Sequence, residues 1–86
     1  MNIMQISRMK RDLTSEQQKA FSAELKRFYA APPADLVVLA DYVALDQSCS
    51  FTLLDVSNIE RLNEINQPFA PYVEYEVIQV RPTANN

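Results

Sequence analysis

The alternation of apolar and polar positions along the chain predicts four β-strands, because successive side chains on a strand point to opposite faces. The predicted strands span residues 2–8, 35–46, 50–56 and 72–81. The second is the longest, and its stretch 36–45 has apolar residues on both faces. Turn-forming residues at 46–49 predict a hairpin between the second and third strands.

Two amphipathic helices are predicted between the strands. Thr14 and Gln17 have the spacing of a capping box, and the apolar positions that follow recur at helical spacing: Phe21, Leu25 and Phe28. The dipeptide Pro32-Pro33 ends this helix. A second capping box is predicted at Ser57 and Glu60, ahead of a short helix. Its apolar positions are Ile59, Leu62 and Ile65.

The order of these elements is strand, helix, strand, strand, helix, strand, within a single domain spanning residues 1–86. With right-handed crossovers, this order predicts an α+β, ferredoxin-like βαββαβ fold, with one four-stranded antiparallel sheet and both helices on one face. A small helical bundle is the alternative. It fails because residues 36–45 and 72–80 alternate with a period of about two rather than 3.6.

Two helices can cover only one face of such a sheet, so the other face needs a partner. Strict alternation puts the odd-numbered residues 37–45, including Asp41, on one face of the second strand, which we take as the open face. A contiguous apolar patch of this kind is typical of an interaction surface. We therefore expect an isologous homodimer that pairs two sheets through Val37, Leu39, Val43, Leu45, Ile78 and Val80. The alternative is a different register in which the second strand is simply central.

The topology, size and two-faced strands resemble the dimeric α/β-barrel superfamily, in which two ferredoxin-like subunits pair their sheets. Within it, Ala31-Pro32-Pro33 and the segment FAPYVEYEVIQV at residues 69–80 are similar to a small bacterial family defined only as a domain of unknown function. The resemblance covers most of the chain and implies a fold rather than an activity. The superfamily includes monooxygenases, haem proteins and an isomerase. This chain has no Trp and no His to match the monooxygenase residues or a proximal haem ligand.

Composition narrows the possible chemistry. The net charge of −3 and the pI near 4.7 disfavour nucleic acid as a partner, because its phosphates need a basic surface. There is no histidine to act as general base or metal ligand, and no glycine for a phosphate-binding loop. We therefore expect no cofactor and no metal. Without glycine, backbone positions with positive φ should fall to Asn or Asp.

The sequence also bears on the cellular location of the protein and on the state of its cysteine. No apolar run approaches the ~20 residues that span a bilayer, and the N-terminal residues lack a signal-peptide core. We expect a cytoplasmic protein with no membrane partner. Cys49 is the only cysteine, so an intrachain disulfide is impossible, and we interpret this residue as part of a turn rather than as a reactive thiol.

Asp41 is the most informative candidate site residue, because it interrupts an apolar face. Its carboxylate needs a partner there, and Arg8, Arg81 or a tyrosine hydroxyl could supply one. It can act as the acid or base of a pocket, with Tyr42 or Tyr75 as the second catalytic group. We favour the other interpretation, in which Asp41 is half of an interface ion pair.

Three further groups have a functional and a structural interpretation. Four tyrosines can line a ligand cleft with Asp41, or simply belong to the core: Tyr29, Tyr42, Tyr72 and Tyr75. Glu74 and Glu76 share a strand face and can hold a cation, although glutamates at a sheet edge often guard against strand addition. The basic residues between Arg8 and Arg11 can bind an anion or RNA, or form a solvated loop, which we favour.

The residues do not specify an activity. We expect a binding or interaction module for a small apolar ligand, held in a cleft or at the dimer interface. The alternative is a cofactor-free enzyme, similar to the monooxygenases or isomerases of the superfamily, that acts on a small aromatic or carbonyl substrate through Asp41 with Tyr42 or Tyr75.

Overall fold

A computed structural model describes residues 1–84 of the chain. It contains four strands: β1 (Asn2–Met9), β2 (Leu36–Val43), β3 (Ser50–Val56) and β4 (Val73–Gln79). The helices are α1 (Ser15–Ala30) and α2 (Ile59–Asn66), and a short 3-10 turn at Gln67–Phe69 follows α2. Residues 85 and 86 of the predicted C-terminal tail lie outside the described part.

The four strands form one antiparallel sheet in the order β2-β3-β1-β4. This arrangement confirms the predicted α+β, ferredoxin-like fold. The two central strands, β1 and β3, carry the best-buried side chains of the sheet, because neighbours flank them on both sides and α2 packs above them. The core cluster consists of Ile3, Leu54, Val56, Leu62 and Ile65.

Side-chain caps fix where both helices begin. The Thr14 hydroxyl accepts a hydrogen bond from the Gln17 backbone N–H at 3.1 Å, and the Gln17 side chain accepts one from the Thr14 N–H at 2.8 Å. This capping box was predicted. The one predicted at Ser57 is wrong by one residue, because Asn58 caps α2 and its Oδ1 accepts from the Arg61 N–H at 2.7 Å. Ser and Asn are both good N-caps, so the sequence alone does not choose between them.

The second strand is shorter than the sequence predicts. It ends at Val43, because the chain turns at Ala44, whose N–H donates to the Cys49 carbonyl at 2.9 Å and whose carbonyl accepts from the Gln47 N–H at 2.8 Å. Leu45 therefore lies in the turn and is fully exposed. Gln47 has a φ of 62°. The expectation that Asn or Asp would take such positions is correct at Asp12, also at 62°, and wrong here.

A β-bulge in β2 changes which side chains share a face. Val38 pairs with Leu54 and Ala40 with Leu53, so Leu39 is an extra residue on this strand. Beyond it, Asp41 pairs with Thr52 and therefore faces the helices, on the same side as the buried Leu54. The strict alternation assumed for residues 36–45 is wrong from this point onward.

The first helix is packed loosely on the rest of the fold. None of its residues is fully buried. Its aromatic rings contact the connector after α2, where Phe21 and Phe28 lie edge-on to the buried Phe69 with centroid distances of 6.3 and 5.9 Å. Phe21 also contacts Tyr72, at 5.8 Å. These contacts hold α1 at the connector and leave a space between the helix and the sheet.

An ion pair ties the start of β2 to α2. The Arg61 guanidinium donates to both carboxylate oxygens of Asp35, at 2.7 Å from Nε and 3.2 Å from Nη2. A bidentate arrangement of this kind is the geometrically specific form of the Arg–carboxylate pair. The hydrogen bond from Arg61 lowers the pKa of the Asp35 carboxyl below its ordinary value.

Truncation of the core residue Leu62 should be costly. We expect Leu62→Ala to lower the free energy of unfolding by about 2–5 kcal/mol, because it removes a fully buried side chain and leaves a cavity. The matched control is Leu45→Ala, at a fully exposed position, which should change stability by less than about 0.5 kcal/mol. Urea titrations of both variants measure the difference, and similar midpoints would contradict the assigned core.

The stability of Asp35→Asn should depend less on pH in the acid range than that of the wild type. A carboxyl whose pKa is lowered by folding contributes stability above its unfolded pKa of about 3.9, and this contribution is lost as the pH falls through the folded pKa. The variant should be less stable at pH 7, with the difference shrinking below pH 4. Urea midpoints from pH 2 to 7 measure it, and Asp12→Asn is the control. Parallel profiles for wild type and Asp35→Asn would contradict the proposed role of the pair.

Candidate ligand-binding cleft

A cleft of about 500 Å³ lies between the sheet and the helices, under α1. Its helical wall is made by Phe21, Leu25, Phe28, Tyr29, Leu62, Ile65, Asn66 and the connector residue Phe69. Its sheet wall is made by Gln5, Ser7, Leu36, Val38, Asp41, Ser50, Thr52, Leu54, Val73 and Tyr75. The lining is mainly apolar, and the polar groups come largely from the sheet.

Gln5 is the buried polar residue of the cleft. Its side chain is only 8% exposed, and its Oε1 accepts a hydrogen bond from the Asn66 Nδ2 at 2.7 Å. The bond joins β1 to the last turn of α2 at the floor of the cleft. A buried amide is stable only when hydrogen-bonded, so this contact fixes the orientation of the Gln5 carboxamide.

Asp41 lies on the sheet wall of the cleft, and its partner differs from those expected. The hydroxyl of Thr52, its cross-strand neighbour, donates to Asp41 Oδ1 at 3.0 Å. Arg8 and Arg81 were the expected cationic partners, and none of the ion pairs found in residues 1–84 includes Asp41. The reason is the bulge at Leu39, which turns the carboxylate away from the face that carries Arg8.

The tyrosines divide between the cleft and other surfaces. Tyr29 and Tyr75 line the cleft. Tyr42 does not, because it follows Asp41 directly on the strand and points to the opposite face. Tyr72 packs on Phe21 instead.

Tyr75 is half-buried in the cleft, and its acidity is perturbed. Burial raises the pKa of its hydroxyl to about 12, because the charged phenolate is poorly solvated there. The hydroxyl is therefore protonated at neutral pH and able to donate a hydrogen bond to a bound molecule.

The catalytic pair of Asp41 with Tyr42 is wrong on geometric grounds, since the two side chains lie on opposite sides of the sheet. Asp41 and Tyr75 do line the same cleft. The cleft combines the exposed carboxylate of Asp41, the protonated phenol of Tyr75 and the amide of Gln5 around an apolar space. Such groups can orient a ligand by hydrogen bonding.

The sheet surface away from the helices, here called the open face, carries a second distinctive arrangement. An apolar row crosses all four strands through Ala40, Leu53, Met4 and Ile78, which are cross-strand neighbours in that order. The next row contains Tyr42, Phe51 and Ile6 and ends at Glu76. Several of these side chains are substantially exposed, with Tyr42 at 69% and Ile78 at 42%.

Charged groups lie at the two ends of the open face. At one end, the N-terminal ammonium contacts Asp55 Oδ1 at 3.0 Å. At the other, Arg8 is the cross-strand neighbour of Glu74, and its Nη1 lies 3.9 Å from Glu76 Oε1. Glu74 and Glu76 therefore sit beside an arginine at the sheet edge. Residues 1–84 contain no group of three potential metal-ligating side chains.

The residues predicted for the open face are found in four different environments. Val37 and Ile78 lie on it, and Val80 continues the same side of β4, where its N–H donates to the Asn2 carbonyl at 3.0 Å. Leu39 is the bulge residue. Val43 faces the helices, which corrects its assignment, and Leu45 lies in the turn beyond the strand.

Sequence reasoning missed other residues of both surfaces. The cleft also contains Gln5, Thr52 and Asn66, and the open face contains Met4, Ile6, Phe51 and Leu53. The sequence does indicate which β1 side chains share a face, because Ile3 and Gln5 alternate with Met4 and Ile6 along the strand. The contact between Gln5 and Asn66 had no such signal, since it joins positions far apart in the chain.

None of the helices described in residues 1–84 is long and apolar enough to cross a membrane.

Comparison with known proteins gives the family but no activity. No curated protein matches the chain. The sequence profile of the family described as Domain of unknown function (DUF3303) matches residues 1–85. Because this match spans nearly the whole sequence, the chain belongs to the DUF3303 family.

Proposed function

We propose that the protein is a homodimeric binding module that holds a small, mainly apolar ligand in the cleft under α1. The observation that carries this proposal is the cleft itself, about 500 Å³ in volume and walled by aromatic and aliphatic side chains. Small-molecule sites are commonly about 300–1,000 Å³, with apolar walls and a few polar groups that fix orientation. The cleft has both features.

The loose packing of α1 supports ligand entry. Since no residue of α1 is fully buried, the helix makes few contacts that a ligand would have to break. A bound molecule would cover the apolar side of the helix, including Phe21 and Leu25, and would gain roughly 25 cal/mol for each Å² of apolar surface that it removes from water.

The polar groups of the cleft are better suited to binding a ligand than to catalysis. A cofactor-free enzyme of the monooxygenase or isomerase kind would need a proton donor and acceptor positioned at the substrate. Tyr42 is on the wrong side of the sheet for this role, and the raised pKa of Tyr75 means that its hydroxyl holds its proton more tightly and is a weaker acid than an ordinary tyrosine. Hydrogen bonding to a ligand needs no change in protonation.

The open face supports the homodimer. Its apolar rows occupy the centre of the sheet, and its charged residues lie at the ends, which is the usual anatomy of a protein interface. A second copy supplies a surface with the same rows, and a two-fold axis pairs them with each other. The rows would otherwise leave Tyr42 and Phe51 in contact with water.

Blocking the cleft should abolish binding of a neutral apolar probe. N-phenyl-1-naphthylamine should become fluorescent with the wild type, and Val38→Trp should weaken its affinity at least about tenfold because the indole occupies the cleft. Val37→Trp is the matched control, since Val37 has nearly the same exposure, 50% against 52%, on the opposite face. Equal affinities for the two variants, with native circular dichroism, would rule out the cleft as the binding site.

Charge on the open face should separate the subunits. We expect Tyr42→Asp to convert a dimer into a monomer, because it buries a carboxylate in the apolar centre of the interface. Val43→Asp is the control, at a neighbouring position of 62% exposure that faces the helices. Sedimentation velocity at micromolar concentration measures both. A wild type that sediments as a 9.8 kDa monomer would refute the homodimer without affecting the cleft proposal.

A further inference from the structure

We infer that the cleft selects ligands in which an apolar body carries a protonated amine, in preference to carboxylates and phosphates. This inference rests on the proposed binding function and names the chemical class of the ligand. Its basis is the charge of the cleft. Among the described residues that line it, Asp41 is the one side chain with a charge at neutral pH, and no lysine or arginine is present.

The Asp41 carboxylate has spare capacity for a cation. Its one side-chain hydrogen bond within residues 1–84 is from the Thr52 hydroxyl to Oδ1, at 3.0 Å. A carboxylate has about four lone-pair sites, so Oδ2 and part of Oδ1 can accept further hydrogen bonds. The Thr52 contact also holds the group against β3, which fixes a direction for an incoming donor.

The remaining wall favours the same ligand. The helical side of the cleft presents several aromatic rings, including Phe21, Phe28 and Tyr29, and the faces of such rings attract cations. An anionic ligand would meet the Asp41 carboxylate, with no lysine or arginine among the lining residues to compensate its charge. The cleft therefore discriminates by charge as well as by apolarity.

The polar groups of the cleft that are more buried than Asp41 suit a neutral part of the ligand. Gln5 is held by Asn66, and Tyr75 keeps its proton at neutral pH. Both groups recognise hydrogen-bonding atoms without requiring a charge. A ligand with its ammonium at Asp41 and an uncharged aromatic or aliphatic body under α1 uses the whole cleft.

Three probes with the same naphthalene body test this selectivity: 1-naphthylmethylamine, 1-naphthylmethanol and 1-naphthoate. At pH 7 and low ionic strength, the amine should bind wild type about tenfold more tightly than the alcohol, with the carboxylate weaker than both. The advantage of the amine should shrink as salt is added, because Asp41 is exposed to solvent. Isothermal titration calorimetry gives the three dissociation constants.

Asp41→Asn should remove the advantage of the amine, so that the amine and the alcohol bind the variant with dissociation constants within about twofold of each other. Asp55→Asn is the control, because it makes the same change of charge on the open face and should keep the selectivity. Equal binding of amine and alcohol by wild type, or an amine preference that survives Asp41→Asn, would overturn the inference while leaving the cleft as a binding site. Failure of all three probes to bind would overturn both proposals.

Discussion

The structure depends on one constraint, which is that two short helices must cover a four-stranded sheet. Helix α2 meets this demand over the central strands, where Leu62 and Ile65 join Ile3, Leu54 and Val56 in the core. Helix α1 meets it only in part, because its contacts are made through aromatic rings at the connector. The space beneath it is the cleft. On the other side the sheet has no helical cover, so its apolar rows remain exposed within one chain.

The two surfaces have opposite chemical characters because strand pairing sorts the residues. The open face collects an apolar centre bordered by charges, whereas the cleft collects aromatic rings, hydroxyls and amides around a single carboxylate. The proposed ligand binding and the proposed subunit association would therefore use different residues of the same strands. Changes in one surface need not disturb the other, since the two surfaces lie on opposite sides of the sheet.

The sequence predicts the fold well because the relevant signals are local. Alternation of period two and the caps near Thr14 and Asn58 are read within a few residues, and they yield the element order with small errors at the ends. The β2–β3 turn shows the limit, since Gln47 takes a positive φ without being a residue that favours it. Gln47 takes this conformation within a turn closed by hydrogen bonds from its own N–H to the Ala44 carbonyl and from the Ala44 N–H to the Cys49 carbonyl.

The candidate site was predictable only in part, for a related physical reason. Tyr29, Tyr75 and Asp41 were candidate ligand-binding residues from their chemistry, but strict alternation placed Asp41 on the open face rather than in the cleft. The face of Asp41 and the partner that it finds depend on strand register, which a single chain segment does not encode. An inserted residue is invisible in a pattern that is apolar on both faces, as in β2, because each register looks equally acceptable.

Leu39 therefore affects the sheet mainly through its position in β2 rather than through the contacts of its own side chain. Because it is the extra residue in β2, it sets the parity of every position that follows on the strand. In a relative where Leu39 paired regularly, without the bulge, Tyr42 would face the helices and Asp41 the open face, with no substitution at either position. The presence or absence of a bulge at this point, rather than replacement of the lining residues, is a route by which family members could diverge in the side chains that line the cleft.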